Sequence, residues 1–172
     1  MAAQRQLIVM RHAKAGELPG GPDFERALRP RGRKNAESAG EWLAGQGLRP
    51  DLVLCSKARR ARQTWECVSA GLGGLAGQGG PDGEPEVIID TRLYEADAGD
   101  LMGIFAETDP RVRSLMYVGH NPAAAEVTEI LVAAAVDFPT SAIAVIDLTV
   151  EWPDIAGGDG QLVASWTPQA QA

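Results

Sequence analysis

Short apolar runs rich in β-branched residues alternate along this chain with stretches of helical character. Residues 7–10, 52–55, 87–89, 115–118 and 142–150 read as strands, and 162–166 as a weaker sixth. Continuous apolar runs with polar or glycine flanks are the pattern of strands buried on both faces. Between them, 34–45, 58–72, 99–107 and 123–135 read as helices. Asn121-Pro122 opens the last with a capping candidate followed by a proline in the first turn. Repeated strand–helix order predicts an α/β fold, a three-layer sandwich. Its central sheet is mostly parallel and roughly six-stranded, flanked by helices. The final stretch lacks helices, which leaves antiparallel pairing open for its strands. A chain of 172 residues fits a single domain over 1–172 and is short for two.

Composition narrows the chemistry. A net charge of −7 argues against nucleic-acid binding and against attachment to an anionic membrane, since both rely on excess positive charge. The apolar run at 7–10 is shorter than the core of a secretory signal, and no stretch approaches the roughly 20 apolar residues of a membrane helix. Cys55 and Cys67 cannot form a disulfide framework and read as packing residues, which fits a reducing cytoplasm. Richness in Ala, Gly and Arg suggests a bacterial source. Residues 71–85, with seven glycines and two prolines, read as a flexible surface loop. They lack the Gly-Lys-Ser/Thr of a phosphate-binding loop. The tail 167–172 reads as frayed. Trp42, Trp65, Trp152 and Trp166 read as packing contacts.

The charged groups sit where the predicted strands end. The first strand runs into Arg11-His12 and the second into Cys55-Ser56, followed by Lys57, Arg59, Arg60 and Arg62; the fourth runs into Gly119-His120-Asn121. In open α/β sheets, sites form outside the carboxyl ends of the strands. Parallel strands would therefore gather both histidines of the chain and at least two arginines on one edge. Arginine presents a donor fork that matches phosphate oxygens, and a neutral histidine can attack phosphorus. The pattern points to phosphoryl chemistry with a histidine nucleophile. HExxH, CxxC and repeated Asp patterns are missing, so neither metal nor cofactor is expected.

These segments resemble the histidine phosphatase superfamily, the phosphoglycerate-mutase-like enzymes. Leu7-Ile8-Val9-Met10-Arg11-His12-Ala13 is similar to its strand-then-Arg-His opening. Ser56-Lys57-Ala58-Arg59-Arg60-Ala61-Arg62-Gln63-Thr64 is similar to its Ser-x-x-x-Arg-Ala-x-Gln-Thr segment. Leu93-Tyr94-Glu95 and Val118-Gly119-His120-Asn121-Pro122 resemble two further motifs. The run from Asp23 to Leu28, with Arg31-Gly32, resembles the branch of small phosphohistidine phosphatases called SixA. The resemblance spans roughly residues 7 to 150.

The resemblance implies a nucleophile at His12 and phosphate ligands at Arg11 and Arg60. It also implies a protonated partner at His120 and a proton donor at Glu95, with Asp97 close by as an alternative. Arg26 is placed at the pocket rim or as a solvated charge, and Arg59 and Arg62 on the surface. The implied reaction is hydrolysis through a phosphohistidine intermediate. A short chain without an evident lid suits a phosphohistidine side chain on a protein. The basic run Arg26, Arg29, Arg31, Arg33 and Lys34 could guide such a partner or simply open a helix. A small phosphorylated metabolite, or a non-catalytic phosphate-binding module, remains as an alternative.

Overall fold

Leu7 and Val9 pack into one apolar cluster while Ile8 and Met10 pack into another, and all four are fully buried. This alternation means that the first strand has a helical layer on each side. The computed structural model describes residues 4–73 and 84–168. Its strands are β1 (Arg5–Arg11), β2 (Leu52–Ser56), β3 (Glu86–Asp90), β4 (Ser114–Gly119), β5 (Ile143–Leu148) and β6 (Gly160–Trp166). Its helices are α1 (Pro30–Gly45), α2 (Arg59–Gly71), α3 (Ala98–Ala106) and α4 (Ala123–Val132).

These strands form one six-stranded sheet in the order β3-β2-β4-β1-β5-β6. The four strands from β3 to β1 run parallel. β5 pairs antiparallel with β1 and with β6, as the helix-free end of the sequence allowed. Helices α1 and α2 cover one face, where Ala36, Ala39, Leu43, Trp65 and Val68 meet Ile8, Val53 and Met116. Helices α3 and α4 cover the other, where Leu101, Phe105, Val127 and Leu131 meet Leu7, Leu54 and Leu115. The expected three-layer α/β architecture is the observed one.

Several element limits differ from the sequence reading. α1 begins at Pro30, not at 34, because the fixed φ of proline suits the first helical position. α4 stops at Val132, not at 135, because Ala133 adopts a left-handed φ of 56°. It starts at Ala123, after Pro122, and the Asn121 side chain accepts a hydrogen bond from the Ala125 amide. β5 ends at Leu148. Burial on both faces holds for β1, β2 and β4 but not for the edges: Val87, Ile88, Ile89, Leu162 and Val163 are 39–46% exposed. Among the described residues, neither core cluster draws a side chain from β3.

α1 and α2 approach closely. A Cβ on Gly40 would overlap the Val68 carbonyl, and one on Gly71 the Glu37 carbonyl. Most of the predicted glycine-rich loop, residues 74–83, and tail residues 169–172 lie outside the described residues. Trp152 is fully buried and donates its indole N–H to the Val112 carbonyl at 2.8 Å. Trp65 lies in the core, with Trp42 and Trp166 packed against it. Cys55 is a buried free thiol whose pKa burial pushes up to about 12, consistent with a packing role. Among the described residues, no helix is long and apolar enough to cross a membrane.

Candidate active site

The parallel register sets Arg11 opposite Gly119, and Cys55 opposite Val118. The carboxyl ends of β1, β4 and β2 therefore lie side by side and deliver His12, His120 and Ser56 to one edge. There a cavity of about 380 Å³ is lined by Arg11, His12, Lys14, Ala15, Arg26, Arg60, His120, Asn121 and Thr140. A larger cavity, about 640 Å³, lies against β3 and α3 and has no histidine among its lining residues.

Two contacts fix the tautomer of His12. Nδ1 donates to the Ala13 carbonyl at 2.7 Å, and Nε2 accepts from Arg60 Nε at 3.3 Å. An arginine nitrogen can only donate, so Nε2 carries a lone pair and the ring is neutral. Burial lowers the His12 pKa to about 3; the positive charges of Arg60 and Arg11 act the same way, and the Ala13 contact opposes them. Thr64 braces the arrangement. Its buried hydroxyl accepts the Ala13 amide at 2.9 Å and donates to the Arg60 carbonyl at 2.7 Å, joining the end of β1 to the first turn of α2.

His120 lies with its ring centre 5.3 Å from that of His12. Its Nδ1 receives Arg60 Nη2 at 3.4 Å, so the proton sits on Nε2 and is donated to Ser56 Oγ at 2.7 Å. Burial, then Arg60, lowers its pKa to about 4. The expected protonated His120 is therefore not the resting state; desolvation and the adjacent guanidinium keep the ring neutral.

The arginines are held from several elements. Arg11 Nη1 donates to the Phe138 carbonyl at 3.2 Å, which also accepts from Asn121 Nδ2 at 2.8 Å. Arg60 donates from Nη1 to the Asp23 carbonyl and from Nη2 to the Asp23 carboxylate, both at 3.0 Å. That carboxylate also accepts from Arg26 Nε at 2.9 Å and from the Tyr94 hydroxyl. These donors, Tyr94 first, hold the Asp23 carboxyl well below the usual range. Among the described residues, no group of three or more His, Cys, Asp or Glu is arranged to hold a metal ion.

The family model for the histidine phosphatase superfamily (branch 1) matches residues 7–129. The chain belongs to this family. A histidine phosphatase is a phosphate-releasing hydrolase, and this chain is similar to solved structures of the SixA type. The SixA-type protein of Nakamurella multipartitia is 27% identical, with a TM-score of 0.83 over 98% of this chain and 99% of that one. The protein histidine phosphatase SixA in complex with tungstate is 26% identical, with a TM-score of 0.74 over 93% of this chain and 95% of that one. The Mycobacterium tuberculosis protein Rv1276c is 34% identical over 93% of this chain and its own full length.

In this histidine phosphatase, five of the six sequence-selected residues line one cavity: Arg11, His12, Arg26, Arg60 and His120. Glu95 does not. It is exposed and lines a neighbouring cavity of about 270 Å³ that shares His120 and Asn121. Asp97 is the N-cap of α3 in a reciprocal capping box with Asp100, so its carboxylate already has a structural partner. Arg59 and Arg62 are exposed, as expected. Arg29, Arg31, Arg33 and Lys34 are exposed around the start of α1. The sequence reading gave no role to Asp23, Ser56, Thr64 or Tyr94. Ser56 and Thr64 bracket the motif that contains Arg60, and that position was the available signal.

Proposed function

We propose that this chain is a metal-independent phosphatase that works through a phosphohistidine at His12 and acts on phosphohistidine carried by a protein. The observation that carries the reading is the neutral His12 ring, with a bare Nε2 beside the guanidinium groups of Arg11 and Arg60. Nε2 attacks phosphorus, forming one P–N bond as the P–N bond to the substrate ring, protonated on its other nitrogen, breaks and releases a neutral imidazole. Arg60 Nε turns from the Nε2 lone pair to a phosphoryl oxygen as this happens. Arg11, Arg60 and the nearby Arg26 and Lys14 offset charge on the non-bridging oxygens, the usual source of rate in phosphoryl transfer. A phosphoryl dianion beside His120 raises its pKa from about 4, so His120 can gain its proton with substrate bound. Water then attacks the phosphorylated His12, releasing phosphate and regenerating the neutral ring.

The protein substrate is supported by the likeness to the protein histidine phosphatase SixA and by the partly open site cavities. The two free thiols favour a reducing cytoplasm. The test is a panel of phosphohistidine peptides, sugar phosphates and phosphoanhydrides, with labelled enzyme trapped by an alkaline denaturing quench. The expected result is preferential turnover of the peptides and an acid-labile, base-stable phosphoenzyme that His12→Ala lacks. Preferential turnover of a metabolite would replace the protein substrate. Equal turnover by His12→Ala would remove the nucleophile, and no turnover of any compound would leave a phosphate-binding module.

A further inference from the structure

Asp23 occupies an unusual place for a carboxylate in a site built for anions. It stands on the segment between β1 and α1, at the start of a short 3-10 turn, Asp23–Glu25. The base of this segment is pinned by Ala15 pairing with Leu28, and by the Leu28 amide donating to Gln63. Residues 17–24 are exposed, and the Asp23 side chain is 51% exposed. From this tip, the Asp23 carboxylate gathers donors from three parts of the molecule: Arg60 Nη2, Arg26 Nε and the Tyr94 hydroxyl.

A guanidinium has five N–H donors. In Arg60, one faces His12 Nε2, one faces His120 Nδ1 and two are taken by Asp23 through its carbonyl and carboxylate. Only one is left for a ligand. A phosphoryl group that needs the outer fork in bidentate fashion meets Asp23 already there. Because the Asp23 carboxylate is half in water, it can leave the fork without becoming a buried unpaired charge.

We propose that Asp23 is a tethered anion that holds the phosphate donors of the resting site, and that the substrate phosphoryl dianion displaces it and takes over Arg60, Arg26 and Tyr94. The inference rests on the reading of Arg60 as a phosphate ligand. Its consequence is selectivity by charge. A dianion with three free oxygens outcompetes the tethered carboxylate, whereas carboxylates and phosphodiesters, with a single charge, do not.

Apparent affinity falls by the fraction of time that the site is blocked. For a partly exposed ion pair, that is a factor of about two to six. The test is binding of inorganic phosphate and of acetate to the wild type, Asp23→Asn and Asp23→Ala, read by calorimetry or phosphorus NMR. Thermal melts will show that both variants fold. The expected result is phosphate binding about two- to sixfold tighter in both variants, with acetate gaining relative to phosphate. Unchanged or weaker phosphate binding in the variants overturns the inference and makes Asp23 a residue that only positions Arg60. A wild type that binds no phosphate overturns the underlying phosphate site as well, so the two failures are distinct.

Discussion

Replacing Thr64 by valine removes one hydroxyl at nearly constant shape. Thr64 is fully buried, and its Oγ1 is the partner of the Ala13 amide at 2.9 Å as well as the donor to the Arg60 carbonyl at 2.7 Å. Valine leaves the Ala13 N–H facing a methyl group, and an orphaned buried donor costs about 1–3 kcal/mol. For a domain of this size, each kcal/mol lowers Tm by about 2–4 °C. Function should fall too, because the Ala13 peptide also supplies the carbonyl that fixes the His12 tautomer. A tilt of that peptide that costs the transition state about 1 kcal/mol is a loss of about fivefold in kcat/KM. Thr64→Ser keeps the hydroxyl and serves as the control; it should lose some packing but retain the kinetic constants. Differential scanning calorimetry and phosphohistidine-peptide kinetics on the three proteins decide the matter. If Thr64→Val melts and turns over like the wild type, the hydroxyl does not brace the site and the reasoning fails.

Two further outcomes follow from the site. His12 and His120 fold with pKa values near 3 and 4, below the ordinary 6.5. Between those values and 6.5 the unfolded chain binds protons that the folded chain refuses, so stability is full above 6.5 and declines as pH falls toward 4 and 3. The loss is on the order of 2 kcal/mol per histidine by pH 4.5. Urea midpoints against pH should therefore slope less steeply in His12→Gln than in the wild type, and parallel curves would discount the buried neutral ring. For Glu95→Gln, turnover of a phosphate ester should fall by about a hundredfold, because an alkoxide leaving group needs a proton. A phosphohistidine peptide should lose only about threefold, since its imidazole leaves more readily once protonated. Equal losses on both substrates would take proton donation away from Glu95.

Much of this site was legible because its central residues end strands. Arg11, His12 and His120 follow apolar runs directly, and a parallel sheet brings such ends together without further information. Arg60 was legible from its place in the first turn of α2, after β2. Asp23 was not, because its role depends on a connecting segment folding back so that its tip meets Arg60 and Tyr94, residues 37 and 71 positions away. The neutral resting state of His120 was not legible for a related reason. Desolvation and a neighbouring guanidinium are tertiary facts, and the chain around His120 contains neither signal. The exposure of β3 was hidden because an apolar run, Val87-Ile88-Ile89, looks the same at the edge of a sheet as at its centre.

The direction of β5 has a consequence for how this site can vary. Because β5 runs against β1, the segment that enters it arrives at the edge where the parallel strands end. It contributes main chain: the Phe138 carbonyl holds Arg11 and Asn121, and the Ser141 amide holds the His12 carbonyl. Peptide groups are common to nearly every residue type, so the three anchors themselves do not read side chains; what constrains these positions is the packing of Phe138 in the core and the left-handed φ of 69° at the buried Ser141. That wall of the pocket therefore holds the site through polar groups that no side chain supplies. A comparison that scores residue letters would pass over it, whereas a one-residue insertion or deletion there would disturb the nucleophile and its arginine together.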